Sequence, residues 1–355
     1  MTSRFATSMR CCLSLLAGAG LLISPSSSAA DPVAEFYAGK QIQMIIRSTV
    51  ATSYDTYARL LATHMVKHIP GKPTIVSVNM PGAGGLKAAN YVAKIAPRDG
   101  TILTIIGQGM PLYQALNLGS GFEGDLREFN WVGNIDISNQ LLVTWHSSPV
   151  KTLDDARKRE AIIGASGDGS NSVQLAAVYN NILGTKFRII TGYESSAALN
   201  LAMERGEIDG KASGLWQSYL VAKPEWIAEK KLNVIIQTGL KKEADLPNVP
   251  LLLDAAQTPE QRAILDYITK TVVVGRPFAT TPGVPPERVA ALRKAFDLTV
   301  VDPAFLADAK KQQLDLNPQS GAELEEVVNF LINAPELLRN QVDEAMKPKS
   351  VEKKK

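Results

Sequence analysis

The sequence predicts an α/β protein of two doubly wound lobes with a ligand cleft between them. Three observations carry this. The chain opens with strand-like and helix-like segments in β-α-β-α-β alternation, which argues a parallel sheet. The same rhythm restarts at Ala161, after two strand-like runs in close succession. The turns at the carboxyl ends of the strands are small, polar or Gly-rich, and ligands of open α/β sheets sit there. With 355 residues, 45% hydrophobic and 21% charged, the chain can bury about two domains.

Gln41–Arg47 is β-rich and alternating, a first strand. Ser48–Ser53 is a hydroxyl-rich loop, and Tyr54–His68 is a helix with Tyr54, Tyr57, Ala58, Leu61 and Met65 on one face. Thr52-x-x-Asp55 reads as its capping box. A turn at Pro70–Pro73 leads to the strand Thr74–Val78, then to Pro81-Gly82-Ala83-Gly84-Gly85 and the helix Leu86–Ile95. In that turn Pro81 stops the strand, the glycines permit positive φ, and the first free N–H groups of the helix can receive an anion. Thr101–Gly107 is a third strand; Trp131–Ile137 and Gln140–Trp145 are two more.

In the second half the expected strands are Ala161–Ala165, Phe187–Thr191, Ile208–Ala212, Leu232–Thr238 and Thr271–Gly275. The expected helices are Ser172–Leu183, Ser195–Arg205, Pro286–Val300, Pro303–Gln312 and Ala322–Ile332. Ser166–Asn171 is a polar Gly/Ser loop, Lys241–Pro250 a crossing segment, and Lys353–Lys355 a solvated tail.

The N-terminus reads as a secretory signal: Arg4 and Arg10, the apolar run Cys11–Ile23, and Ser28-Ala29-Ala30 before Asp31. Its cleavage would remove both cysteines, Cys11 and Cys12, leaving no disulfide or thiolate site, and would take the formal charge from +3 to +1. No basic stripe with interleaved aromatics points to nucleic acid. No later apolar run approaches the ~20 residues of a membrane helix. The expected location is the periplasm.

The chemistry-bearing patterns are weak for catalysis. The Gly-rich turn lacks the third glycine of a dinucleotide fingerprint, Lys87 standing there, and no Gly-Lys-Ser/Thr follows. Ser166 lacks the glycine of a nucleophile elbow at 168. His64 and His68 are four apart, but no Glu follows His64 and the only other histidine is His146, so no metal and no cofactor is expected. Asp55 either accepts from a ligand or caps its helix; Arg47 either clamps a carboxylate or is an ordinary strand-end cation. Ser166, Gly169 and Ser170 either donate to a carboxylate or cap the next helix. Gln108 either reaches the ligand or lies on the surface.

Phe36-Tyr37-x-Gly39-Lys40, Tyr54-Asp55-Thr56-Tyr57-Ala58-Arg59-Leu60-Leu61, Asn79-Met80-Pro81-Gly82-Ala83-Gly84-Gly85 and Ala96-Pro97-Arg98-Asp99-Gly100-Thr101 resemble the substrate-binding proteins of tripartite tricarboxylate transporters, the Bug family. The likeness continues through Gly164-Ala165-Ser166-Gly167, Gly184-Thr185-Lys186-Phe187, Ala202–Gly210 and Gly275-Arg276-Pro277-Phe278. It implies the type II periplasmic binding fold, with lobe 1 from 31–137 and 241–355 and lobe 2 from 138–240, after a signal at 1–30. It implies a non-catalytic, monomeric receptor that delivers a small organic acid to the permease subunits of a membrane transporter. The ligand residues it implies, together with those read directly, are Ser48, Thr49, Thr52, Ser53, Asp55, Ala83, Gly84, Gln108, Ser166, Gly169, Ser170 and Gly192. In one respect the chain departs from the family: Arg47–Ser53 has no glycine, which implies an altered ligand or loss of binding at that loop. Lys211–Ser218 also departs from the family pattern. The alternatives are an exported α/β hydrolase and a ligand sensor for a signalling partner.

Overall fold

A computed structural model describes residues 31–117, 121–167, 170–193 and 195–354. The signal read at residues 1–30 and the candidate Gly169 lie outside the described residues. Residues 32–355 form one compact unit.

The chain runs α1 (Pro32–Tyr37), β1 (Gln41–Ile46), α2 (Ser53–Met65), β2 (Thr74–Asn79), α3 (Leu86–Asn90), β3 (Ile102–Ile105), α4 (Met110–Ala115) and β4 (Asn130–Asn134). It continues with β5 (Gln140–Trp145), α5 (Leu153–Lys158), β6 (Glu160–Gly164), α6 (Asn171–Leu183), β7 (Lys186–Thr191), α7 (Ser196–Glu204), β8 (Gly210–Gly214), α8 (Trp216–Ala222), α9 (Pro224–Ala228) and β9 (Leu232–Thr238). It ends with α10 (Pro259–Val273), β10 (Pro277–Thr280), α11 (Pro286–Val300), α12 (Pro303–Lys311), β11 (Gln319–Ser320), α13 (Gly321–Asn333), α14 (Glu336–Met346) and β12 (Glu352–Lys353).

Two sheets result, in the orders β11-β4-β10-β3-β1-β2 and β12-β7-β6-β8-β5-β9. In the first, β1 pairs in parallel with β2 and β3, while β10 returns antiparallel between β3 and β4. In the second, β6 pairs in parallel with β7 and β8, and β5 runs antiparallel to β8 and β9. The two-lobed α/β architecture expected from the alternation is therefore present. Helix α2 buries Tyr57, Ala58, Leu61 and Met65, the stripe its periodicity predicts. His64 and His68 lie 3.1 Å from Asp308 and Asp302, which ties this helix and the turn after it to α12.

Three local expectations are corrected. Thr271–Gly275 is not a strand: Thr258 caps α10 by accepting from the Gln261 N–H, Pro259 opens the helix, and the helix runs through Val273. The β-branched run Thr271-Val272-Val273 biased the reading toward a strand, but packing overrides local propensity. The strand comes later, at Pro277–Thr280, after Gly275 turns the chain with φ +55°. The C-terminal Lys353 is exposed as expected but is not a free tail, since β12 adds to the edge of the second sheet beside Ile190 and Thr191; Lys355 lies outside the described residues. Nor does the whole of 241–355 stay with the first sheet: β10 and β11 join it, whereas α14 packs on α6 and β12 joins the second.

Each sheet has its own aromatic anchor. Phe296 lies over Gly133 of β4, where any Cβ would overlap its ring. Trp226 meets Trp145 edge-on at 4.6 Å and lies 6.0 Å from Tyr219, which fixes α8 against β5.

The two sheets are joined by chain that crosses between them in contact. The segment after β4 and the segment before β10 bond to each other: Ile135 N–H to the Arg276 carbonyl and Arg276 N–H to the Asp136 carbonyl, both 3.3 Å. The Arg276 guanidinium also pairs with the Asp136 carboxylate at 2.8 Å. A Cβ on Gly275 would run into the Asp136 carbonyl, and its φ already disfavours any other residue. Gly275→Ala is therefore expected to destabilise the protein by more than about 1 kcal/mol, read as a lower urea midpoint with an unchanged slope.

Candidate functional site

Two adjoining cavities, of about 510 and 520 Å³, open between the strand ends and share Tyr54, Gln108, Asn171 and Val272 in their walls. The first is bounded by Arg47, Ala83, Leu86, Met110, Leu112 and Tyr113, mostly apolar groups. The second is polar: Ser138, Ser166, Ser170, Ser172, Ser213 and Ser218 contribute, with Gln140, Asn200, Lys211, Tyr219 and Arg276. Among the described residues, Arg47, Lys211 and Arg276 are the charged side chains in these walls, and no carboxylate lines either cavity.

Each cation is held differently. Arg47 follows β1, and its guanidinium stands 4.6 Å over the Tyr54 ring, a cation–π contact. Its side chain passes where glycines leave room: a Cβ at Gly85 would stand 2.5 Å from Arg47 Nε, and one at Gly107 3.1 Å. Arg276 is paired with Asp136, and burial pushes that carboxyl's pKa up against the pull of Arg276 and of the Ser138 hydroxyl. Lys211 has no carboxylate partner among the described residues. It lies on β8, the strand hydrogen-bonded to both β6 and β5, and is 3% exposed. Its Nζ donates to Asn200 Oδ1 at 2.8 Å and sits 4.9 Å from the centre of the Tyr219 ring. Burial pulls its pKa down to about 8. Holding that ammonium out of water costs on the order of 3 kcal/mol at neutral pH. Tyr219 brings a second costly group: its Oη is buried with no hydrogen-bond partner among the described residues, and burial raises its pKa.

Comparison with known proteins follows the same lines. No protein-family model matches the chain. Over 199 residues it is 30% identical to Protein BugT of Bordetella pertussis, a span of 54% of this chain and 56% of that protein, so the match extends over little more than half of this relative. A TctC solute binding protein from Polaromonas superposes with a TM-score of 0.67 at 17% identity, over 87% of this chain and 99% of the other. MatC from Rhodopseudomonas palustris, solved with bound malate, gives 0.57 at 20% identity over 84% and 99%. The chain has the fold of the TctC-type solute-binding proteins. The resemblance to the Bug proteins read in the sequence recurs in a curated relative, and the solved structures share the fold.

Within this TctC-type fold the candidate residues separate. Ala83, Gln108, Ser166 and Ser170 line the two cavities. Ser53 lines a smaller neighbouring cavity of about 270 Å³ with Asp136, Arg276 and Asp315. Ser48, Thr49, Thr52, Asp55 and Gly192 line none of these three cavities, and the surroundings of Gly84 lie outside what the structure describes. Ser48 and Thr52 bond to each other at 2.6 Å, and Thr52 also donates to the Thr49 carbonyl, so these two hydroxyls are satisfied within the loop. Gly192 stands behind the second-sheet loop, its N–H donating to the Ser166 carbonyl. In the Gly-rich turn Ala83, between Gly82 and Gly85, takes a left-handed backbone, and the α-helix that follows is only five residues long.

Asp55 is committed within the first lobe. Its carboxylate accepts from Ala51 N–H at 2.9 Å, Asn79 Nδ2 at 2.8 Å and Arg59 Nε at 2.9 Å, while Thr52 caps the helix from the other side. Burial works to raise its pKa, but the bonds from Asn79, Ala51 and Arg59 outweigh it and hold the group below its ordinary value.

Lys211, Asn200, Ser213 and Tyr219 were not among the expected site residues. The available signal was a lysine inside a short strand of small and apolar residues, since lysines are almost never fully buried without a partner. Ser213 shares its face two residues on.

Because the Asp55 pKa is depressed in the fold, its contribution is present above the unfolded value and is lost as pH falls through the folded one. Asp55→Asn is expected to lower stability at pH 7 by about 1–3 kcal/mol, with the gap to the parent protein narrowing below about pH 4 in urea titrations.

Proposed function

We propose that this chain is a periplasmic solute receptor of the tripartite tricarboxylate transporter type. It would close on a small organic acid, hold it unchanged, and present it to the permease subunits of a membrane transporter. The observation that carries this reading is the charge of the cleft: cations and hydroxyls in the walls, and no carboxylate among the described lining residues. Such a lining attracts an anion and disfavours a cation or a neutral apolar ligand.

Other facts support it. The malate in MatC is a carboxylate bound in a protein of the same fold. The N-terminal segment reads as an export signal, and no helix among the described residues is long and apolar enough to cross a membrane. Micromolar affinity requires about 8 kcal/mol, which four or five hydrogen bonds to a charged group would supply after the cost of ordering. We place the ligand against Gln108, Ser166, Ser170, Lys211 and Tyr54, with Ala83 at the far wall.

The enzyme reading finds less support. The three histidines lie elsewhere: His64 and His68 face Asp308 and Asp302, and His146 packs at 5.1 Å on Trp145. Lys211 donates to Asn200, and Ser166 faces Ser172 at 3.5 Å, so neither forms a serine–lysine or serine–histidine pair among the described residues; Ser138 donates to Asp136, a carboxylate already paired with Arg276.

The test is calorimetry and thermal denaturation with malate, succinate, adipate, citrate, aspartate and benzoate. At least one is expected to bind with a micromolar Kd, to raise stability by about 2.7 kcal/mol at a hundredfold excess over Kd, and to be recovered unaltered. Absence of binding by every acid, or conversion of one, would defeat the reading.

A further inference from the structure

We propose that Lys211 is the ligand's ionic anchor: it takes the acid group directly, from the second lobe. The inference rests on the receptor reading above and assigns the charge recognition to one side chain. The sequence pattern offered the free N–H groups of a helix start for that task; the geometry here offers an ammonium.

The argument begins with cost. A lysine carries three N–H donors and a charge, and a side chain this deeply buried normally has a carboxylate beside it. Lys211 has one described acceptor, the neutral Asn200 Oδ1, which leaves two donors without a partner among the described residues. A purely structural residue at this point of β8 would be better served by an uncharged side chain of similar volume, because burying an unpaired charge is strongly unfavourable. The lysine is tolerated because the wall it belongs to borders a cavity of about 520 Å³ large enough for a small acid.

Its surroundings fit an anion. Tyr219 of α8 presents its ring face at 4.9 Å, Asn200 of α7 orients the ammonium, and Ser213 lies two residues along the same strand. The other charged group among the described residues of that cavity, Arg276, is neutralised by Asp136 at 2.8 Å. Arg47 borders the adjoining cavity rather than this one. An acid group entering here therefore finds Lys211 as the positive charge not already matched by a described carboxylate.

Two consequences separate an anchor from a structural lysine. The first concerns stability: Lys211→Met removes an unpaired buried charge, so the ligand-free variant is expected to melt at or above the temperature of the parent protein. The second concerns protons. Burial lowers the Lys211 pKa to about 8 in the empty cleft, and a bound anion would raise it again. Affinity is then level below that pH and falls as pH rises through it, and binding near pH 8 takes up a proton. Tyr219, whose pKa burial raises, stays neutral over this range.

The experiment is titration calorimetry with the tightest-binding acid of the panel above, run near pH 8 in phosphate and in Tris, on the parent protein and on Lys211→Met. Expected are a loss of about ten- to a hundredfold in affinity in the variant, an undiminished melting temperature, and proton uptake in the parent that the variant lacks. Affinity within about twofold of the parent, or a variant that binds normally once folded but melts much lower, would overturn the proposal and leave the receptor reading intact. Should the variant fail to fold, the parent alone decides: proton uptake supports the anchor, and heats independent of buffer with affinity level from about pH 7 to 9.5 overturn it. If no acid binds the parent protein, the receptor reading falls and this inference falls with it.

Discussion

The ion pair between Asp136 and Arg276 holds the seam on which both lobes hang. The two chain segments that cross between the sheets bond backbone to backbone there, with the guanidinium and carboxylate closing the contact at 2.8 Å. Removing either partner would leave the other charge buried, which costs far more than the pair itself contributes. Burial raises the Asp136 pKa while Arg276 opposes it, so the pair sits under tension between desolvation and Coulomb attraction. Asp315, pushed up to about 6 by burial and by the Asp136 charge, adds a third ionisable group beside the seam. The cleft walls take their spacing from this junction, because Ser138 and Arg276 belong both to it and to the polar cavity.

From there the three cations of the cleft form a graded series. Arg276 is matched by a carboxylate. Arg47 is shielded by an aromatic face and threaded past glycines. Lys211 is buried, and its described partners are an amide oxygen and a tyrosine ring. In the absence of other anions the last of these is the most expensive to keep charged, and the expense is relieved by whatever anion enters. Recognition and destabilisation are then two sides of one residue, the pattern in which function sits at a locally unfavourable site supported by the rest of the fold.

The architecture was largely legible in the sequence because it depends on periodicity. The stripe Tyr57, Ala58, Leu61, Met65 fixes a buried helix face, and the Gly82–Gly85 turn marks a strand-to-helix corner whatever lies beside it. Legibility failed where packing decides. Thr271-Val272-Val273 has strand chemistry but is the last turn of a capped helix, and the C-terminal lysines end in a strand pairing that no local pattern announces. At the site, loop composition was a partial guide. Ser166, Ser170 and Gln108 reach the cavities, but Ser48 and Thr52 bond to each other and Asp55 serves its own lobe. The third glycine of the Gly-rich turn makes room for Arg47, a reason for glycine that lies 38 residues away in the chain. Lys211 escaped because its meaning depends on burial and on having no described carboxylate partner, both properties of the assembled sheet.

The most direct test of the account is a crystal structure grown with a saturating concentration of the tightest-binding acid. The account predicts the acid enclosed in the polar cavity, bounded by Tyr54, Gln108, Ser166 and Lys211, with an oxygen within about 3 Å of the lysine ammonium. An acid bound only on the outer surface, or a saturated crystal whose cleft holds solvent alone, would contradict it.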